Sequence, residues 1–191
     1  NIPYCCGYGM SECAPLITFS SMDTQKTGSP GHAIPGVSLK IVNADPTSGI
    51  GEIYVKGPNV MRGYYKNKEA TAEAFTQDGW LITGDRGYLD EDGYLFITGR
   101  SKNVIIGPSG ENIYPETIEA KLLESIFVEE TLVYELEGQL VARIHPNYAY
   151  IQRMDEKKEE SAIATDIAKI LEHVRRDVNS TLPGFSKIAR V

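Results

Sequence analysis

Glycine, proline, asparagine and aspartate recur so closely between residues 1 and 99 that this half of the chain reads as short strands, not long helices. Val37-Ser38-Leu39-Lys40-Ile41 alternates apolar and polar residues, as a strand with one buried face does, and Glu52-Ile53-Tyr54-Val55-Lys56 repeats the pattern. Residues 94–98 are a third candidate, entered through the turn Glu91-Asp92-Gly93. Between them, residues 68–75 carry the Glu, Ala and Thr content of a short helix. This spacing predicts an antiparallel sheet or a small distorted barrel. The half is not expected to close its own core.

The character changes after Arg100. Residues 102–106 read as a short apolar strand and residues 108–112 as a polar loop. Pro115 stands where a helix can begin without losing a hydrogen bond, and Ile118 and Leu122 lie one turn apart on the helix that follows. Residues 131–136 and 140–144 read as strands joined at Glu137-Gly138. Ile163, Ile167, Ile170, Leu171, Val174 and Val178 keep one apolar face of a last helix, ended by Leu182-Pro183-Gly184. The charge run over residues 155–160 is read as a solvated loop, and His173, Arg175 and Arg176 as a solvated helix face. The expected class is α+β, in two parts: residues 1–99, rich in strands, and residues 100–191, a small α+β unit.

Composition narrows the function. With 26 acidic and 19 basic side chains the net charge is −7, which argues against a nucleic-acid binder. It leaves room for a nucleotide, because a few backbone N–H groups and one cation can hold a phosphate. Cys5, Cys6 and Cys13 crowd the first residues and suggest no disulfide framework; free thiols in a reducing cytoplasm are expected. No apolar run nears the roughly 20 residues that span a bilayer. The start at Asn1, within a Gly-rich stretch and without Met, has the look of an interior fragment.

Three segments can carry chemistry. In Gly7-Tyr8-Gly9-Met10-Ser11-Glu12, glycines flank an aromatic that can stack on a base, Ser11 can meet a phosphate oxygen, and Glu12 offers Mg2+ a hard oxygen ligand. A Gly-rich strand end with a capping Ser would look the same. In Trp80-Leu81-Ile82-Thr83-Gly84-Asp85, the aspartate is expected at a turn after a strand, where it can accept both hydroxyls of a ribose or simply close its own turn. In Gly99-Arg100-Ser101-Lys102-Asn103, followed by Ser109-Gly110-Glu111-Asn112, a Gly-Arg pair at a compositional join suggests a hinge whose arginine reaches a ligand. A linker with a salt-bridged arginine is the alternative.

Taken together and in this order, the segments resemble the motifs of the adenylate-forming (AMP-binding) superfamily. Gly51-Glu52-Ile53 and the run from Gly57 through Gly63-Tyr64-Tyr65 also match its pattern, and residues 99–119 resemble the long-chain fatty-acid–CoA ligase branch most. The resemblance implies a carboxylate attacking the α-phosphate of Mg·ATP to give an acyl-adenylate, followed by attack of the CoA thiol. It implies that Gly7, Tyr8 and Gly9 face adenine, with Ile97 lining that pocket. Ser11 and Glu12 would be catalytic, Ser11 at the phosphate and Glu12 at Mg2+. Asp85 and Arg100 would hold the ribose. Lys102 would be the hinge of a mobile C-terminal domain over residues 100–191, and Gly110 would border CoA. Residues 1–99 would be the end of the large AMP-binding domain.

The same resemblance places a phosphate loop upstream and an essential lysine downstream, so Lys187 is not that lysine. The chain is therefore expected to be cut at both ends, to lack its N-terminal domain, and to be inactive alone. The implied partners are a fatty acid, ATP and CoA, in a cytoplasmic parent left open to peripheral membrane association. The alternatives are a ligase for another acyl or aryl acid or for a carrier protein, and a non-catalytic nucleotide-binding module.

Overall fold

The structure, a computed structural model, describes residues 4–154 and 160–191, with side chains for all of these but 154 and 160–165. The chain folds as two compact units, Asn1–Lys102 and Asn103–Val191. The charge run of residues 155–160 falls almost wholly outside the described residues, and so does the side chain of Ile163.

The first unit contains β1 (Cys6–Gly9), β2 (Leu16–Ser20), β3 (His32–Ala33), β4 (Ser38–Val42) and β5 (Gly51–Lys56), then α1 (Lys68–Ala74), then β6 (Leu81–Leu89) and β7 (Leu95–Arg100). All pairings are antiparallel. One sheet has the order β1-β2-β3 and the other β4-β5-β6-β7. The strands expected over residues 37–41, 52–56 and 94–98 appear within a residue or two, and Asn67 caps α1 by accepting the Ala70 N–H at 3.0 Å.

The barrel does not close among the described residues. A single backbone bond, Leu95 N–H to Gly31 O at 3.1 Å, links the two sheets, and β3 is only two residues long. Closure needs a continuous ladder around the ring. The core expectation is also corrected. Ile17, Ile53, Val55, Leu81 and Leu95 are all at most 1% exposed and form one cluster with Cys13 and Val37. The alternation in β5 supplies it, with Gly51, Ile53 and Val55 inward. Each such aliphatic contributes about 1.5–3 kcal/mol on burial.

The second unit contains β8 (Ile105–Ile106), β9 (Asn112–Ile113), α2 (Pro115–Leu123), β10 (Val128–Leu136), β11 (Gln139–Pro146), α3 (Tyr148–Met154) and α4 (Glu160–Thr181). Glu137 and Gly138 have φ of 53° and 75°, so both centre residues of the β10–β11 turn are left-handed, as a tight hairpin requires. Ile118 and Leu122 of α2 and Val174 and Val178 of α4 cover the hairpin. The unexpected α3 is capped by Asn147, whose Oδ1 accepts the Tyr150 N–H at 3.1 Å. The chain end adds a short parallel bridge to β11 between Val141 and Arg190.

Candidate nucleotide-binding site

β1 is built by alternation. Tyr8 turns inward against the first unit's core, while Gly7 and Gly9 face out. A Cβ on Gly9 would lie 1.9 Å from Pro15 O, so the bend at this strand end admits only glycine. Two clefts flank β1 and share Gly7, Tyr8 and Gly9. One, of about 480 Å³, is also lined by Ser29, Pro30 and Ile97. The other, of about 600 Å³, is also lined by Met10 and Ser11.

Asp85 stands inside β6, not at a turn after a strand. Gly84, at φ 77°, lets β6 bulge where Glu52 pairs with Arg86 and Tyr54 with Ile82. Sequence pattern reads such a glycine as a strand end. Thr83 closes the bulge, donating to Ile53 O at 2.8 Å and accepting the Asp85 N–H at 3.1 Å. The Asp85 residue is 8% exposed. Its Oδ2 accepts the Tyr8 hydroxyl at 2.6 Å and its Oδ1 accepts Arg100 Nε at 3.1 Å from the opposite position on β7. A carboxylate this deep needs such partners, because an unpaired buried ion costs several kcal/mol. Burial, and then the Asp85 carboxylate, push the Tyr8 phenol well above its ordinary range.

Ser11 and Glu12 lie in a 3-10 turn, Ser11–Cys13, anchored by the fully buried Cys13. Ser11 is exposed toward the larger cleft. Glu12 Oε1 accepts the Tyr64 hydroxyl at 2.9 Å, and Glu12 O accepts the Met61 N–H at 2.7 Å. The hydrogen bond to Glu12 is the main reason the Tyr64 phenol is raised. Among the described residues no hydrogen bond reaches Oε2 of Glu12. Among the described residues no group of three His, Cys, Asp or Glu side chains gathers as a metal cage. One half-free carboxylate fits Mg2+, which binds through one or two carboxylates and substrate phosphates.

The structure thus brings Gly7, Tyr8, Gly9, Ile97, Asp85 and Arg100 together around one end of β1, with Ser11 and Glu12 just beyond it. Lys102 is not in a strand. It is exposed in the 3-10 turn Ser101–Asn103, and the strand starts only at Ile105. Gly110 belongs to the second unit, at the tip of the β8–β9 hairpin, with φ 91°. Lys187 is exposed on a second-unit cleft of about 510 Å³, with Ser109, Glu111 and Phe185. The motifs assign Tyr64 no role. Its only sequence signal is its place in the Gly-rich run ending Gly63-Tyr64-Tyr65.

An AMP-binding enzyme family model matches residues 2–65, the stretch carrying β1, Ser11, Glu12 and Tyr64. The long-chain-fatty-acid–CoA ligase FadD15 of Mycobacterium bovis is 41% identical over 127 residues, 66% of this chain and 20% of that protein. A 2-succinylbenzoate–CoA ligase of Oceanobacillus iheyensis is 45% identical over 133 residues, 68% of this chain and 27% of that protein. The solved O-succinylbenzoate coenzyme A synthetase of Bacillus subtilis, in complex with ATP and magnesium ion, matches with a TM-score of 0.76 at 31% identity, covering 99% of this chain and 37% of that one. The strand-rich α+β architecture is therefore shared with that enzyme. These similarities support the AMP-binding enzyme family for this chain. The two curated relatives are both CoA ligases, and their acids differ. The chain spans 20% and 27% of the lengths of the two curated relatives. No helix among the described residues is long and apolar enough to cross a membrane.

Proposed function

We propose that this chain is the nucleoside-facing part of an ATP-dependent carboxylate–CoA ligase acting on long-chain fatty acids. The observation that carries the reading is the Asp85 carboxylate, buried yet held between Arg100 and Tyr8, the latter itself lining the cleft with Gly7, Gly9 and Ile97. Each of its oxygens keeps a lone pair after these bonds. Those lone pairs would accept the two ribose hydroxyls, and Arg100 would hold the outer edge of the sugar. The exposed backbone at Gly7 and Gly9 would let adenine approach, against Ile97. Tyr8 would then serve the nucleoside by fixing Asp85 and presenting its ring edge, because its hydroxyl is already committed.

Ser11 would donate to a phosphate oxygen. Glu12 would hold magnesium, which when bound neutralises phosphate charge during adenylate formation. We read residues 1–99 as the end of the large AMP-binding domain and residues 100–191 as the mobile C-terminal domain, with Lys102 as hinge and Gly110 on the CoA side. A cytoplasmic enzyme, with peripheral membrane attachment in reach of a long-chain acid, fits this reading.

Substrate is tested directly by acid-dependent ATP–pyrophosphate exchange of the complete gene product. Palmitate should outperform 2-succinylbenzoate and coumarate at least tenfold. A second reading, an aryl-acid ligase, is favoured by the 45% identity to the 2-succinylbenzoate enzyme, and the reverse preference would establish it.

A further inference from the structure

Tyr64 holds no role in the scheme above, yet it bonds directly to the residue assigned to magnesium. We propose that Tyr64 is a positioning residue for Glu12: its hydroxyl holds Oε1 and would leave Oε2 for the magnesium of Mg·ATP. The inference rests on the proposed reading of Glu12 as the metal ligand.

Three observations carry it. The phenol oxygen lies 2.9 Å from Glu12 Oε1, across 52 residues of sequence. The segment bearing Tyr64 is tied to the Glu12 turn by its backbone and by Asn59. Met61 N–H donates to Glu12 O at 2.7 Å, and Asn59 Nδ2 donates to Cys13 O at 3.0 Å and Leu16 O at 2.7 Å. Tyr64 is itself braced from the other side. Its N–H donates to Thr71 Oγ1 at 2.9 Å, and that hydroxyl donates to Asn67 O at 2.7 Å in the first turn of α1. Gly63 lets α1 come this close, since a Cβ there would lie 2.6 Å from Thr71 Cγ2. A glutamate side chain alone samples many rotamers; a phenol anchored to a capped helix removes that freedom before metal arrives. The other oxygen, Oε2, has no hydrogen bond among the described residues.

Tyr64 is 41% exposed, so Tyr64→Phe removes one hydroxyl without opening a core cavity. The test is calorimetric binding of ATP to the complete gene product, once with Mg2+ and once with chelator, with no acid present so that no turnover occurs. Tyr64→Phe should weaken Mg·ATP about tenfold while metal-free ATP binds as in the wild type. Glu12→Gln should show the same selective loss, and the double variant should be no weaker than Glu12→Gln. Wild-type Mg·ATP affinity in Tyr64→Phe, beside a weakened Glu12→Gln, would overturn the positioning role alone. Equal loss of both ligand forms in Tyr64→Phe would mark a purely structural tyrosine and also overturn it. Wild-type affinity in Glu12→Gln would overturn the metal reading and this inference together.

Discussion

Tyr8 donates its hydroxyl hydrogen to Asp85 Oδ2 at 2.6 Å, joining the Gly-rich strand β1 to the bulge of β6 across 77 residues of sequence. The bond ties one sheet of the first unit to the other at the proposed ribose site. It also explains how a carboxylate survives at 8% exposure. Site and fold therefore share one hydrogen bond.

Removing that hydroxyl has a stability cost. Tyr8→Phe should lower unfolding free energy by about 1.5–3 kcal/mol at neutral pH, the range for hydrogen bonds to charged groups. Denaturant titration of wild type and variant measures it. A variant as stable as the wild type would mean that Asp85 is satisfied without Tyr8.

The same phenol gives a pH signature. Its folded-state pKa is raised above the ordinary 10.0, so the neutral form is favoured in the native state. Its stabilisation is complete below pH 10 and is lost as pH climbs above it, because the unfolded chain then ionises first. Between pH 9 and pH 11 (about one unit either side of that value) the gap between wild type and Tyr8→Phe should narrow. A gap that widens with pH would contradict the assignment.

Gly9 separates a structural from a ligand role. The Cβ of Gly9→Ala would meet backbone at 1.9 Å, so the bend must open. A loss of about 1–3 kcal/mol in stability without any nucleotide is expected, read by thermal unfolding. Unchanged stability with weakened AMP binding would assign the glycine to the ligand alone.

In the second unit, Glu172 pairs with Arg175 at 2.6 Å and with Arg176 at 3.1 Å, and the bond to Arg175 is the main reason its pKa falls to about 2. A depressed carboxylate stabilises above its ordinary 4.5 and loses that contribution as pH falls toward 2. Glu172→Gln should therefore lower the melting temperature at pH 7 and leave it unchanged below pH 2. The effect should be small and should shrink in salt, because the pair is solvent-screened. An equal loss at both pH values would point to packing instead.

Much of this was legible in sequence, for physical reasons. Period-two alternation in residues 37–41 and 52–56 found β4 and β5, and Pro115 found the start of α2. β6 was not legible as a whole, because Gly84 reads as a break although its positive φ builds a bulge within a continuing strand. α3, at seven residues, is too short to show a period, and its Asn147 cap shows only in the structure. At the site, the residue types at 8, 12, 85 and 100 pointed to nucleotide chemistry. Their mutual bonds did not show, since nothing local in Gly63-Tyr64-Tyr65 reports a partner 52 residues upstream.

The central claim is that Asp85 is held ready for a ribose. AMP binding to the complete gene product, measured by calorimetry for wild type and Asp85→Asn, tests it most directly. Asn keeps the shape, and Arg100, with its side chain 66% exposed, is not left as a buried charge. AMP affinity should fall at least tenfold, about 1.4 kcal/mol or more, in a protein that still unfolds cooperatively. Asp85→Asn that binds AMP as tightly as the wild type would contradict the ribose assignment.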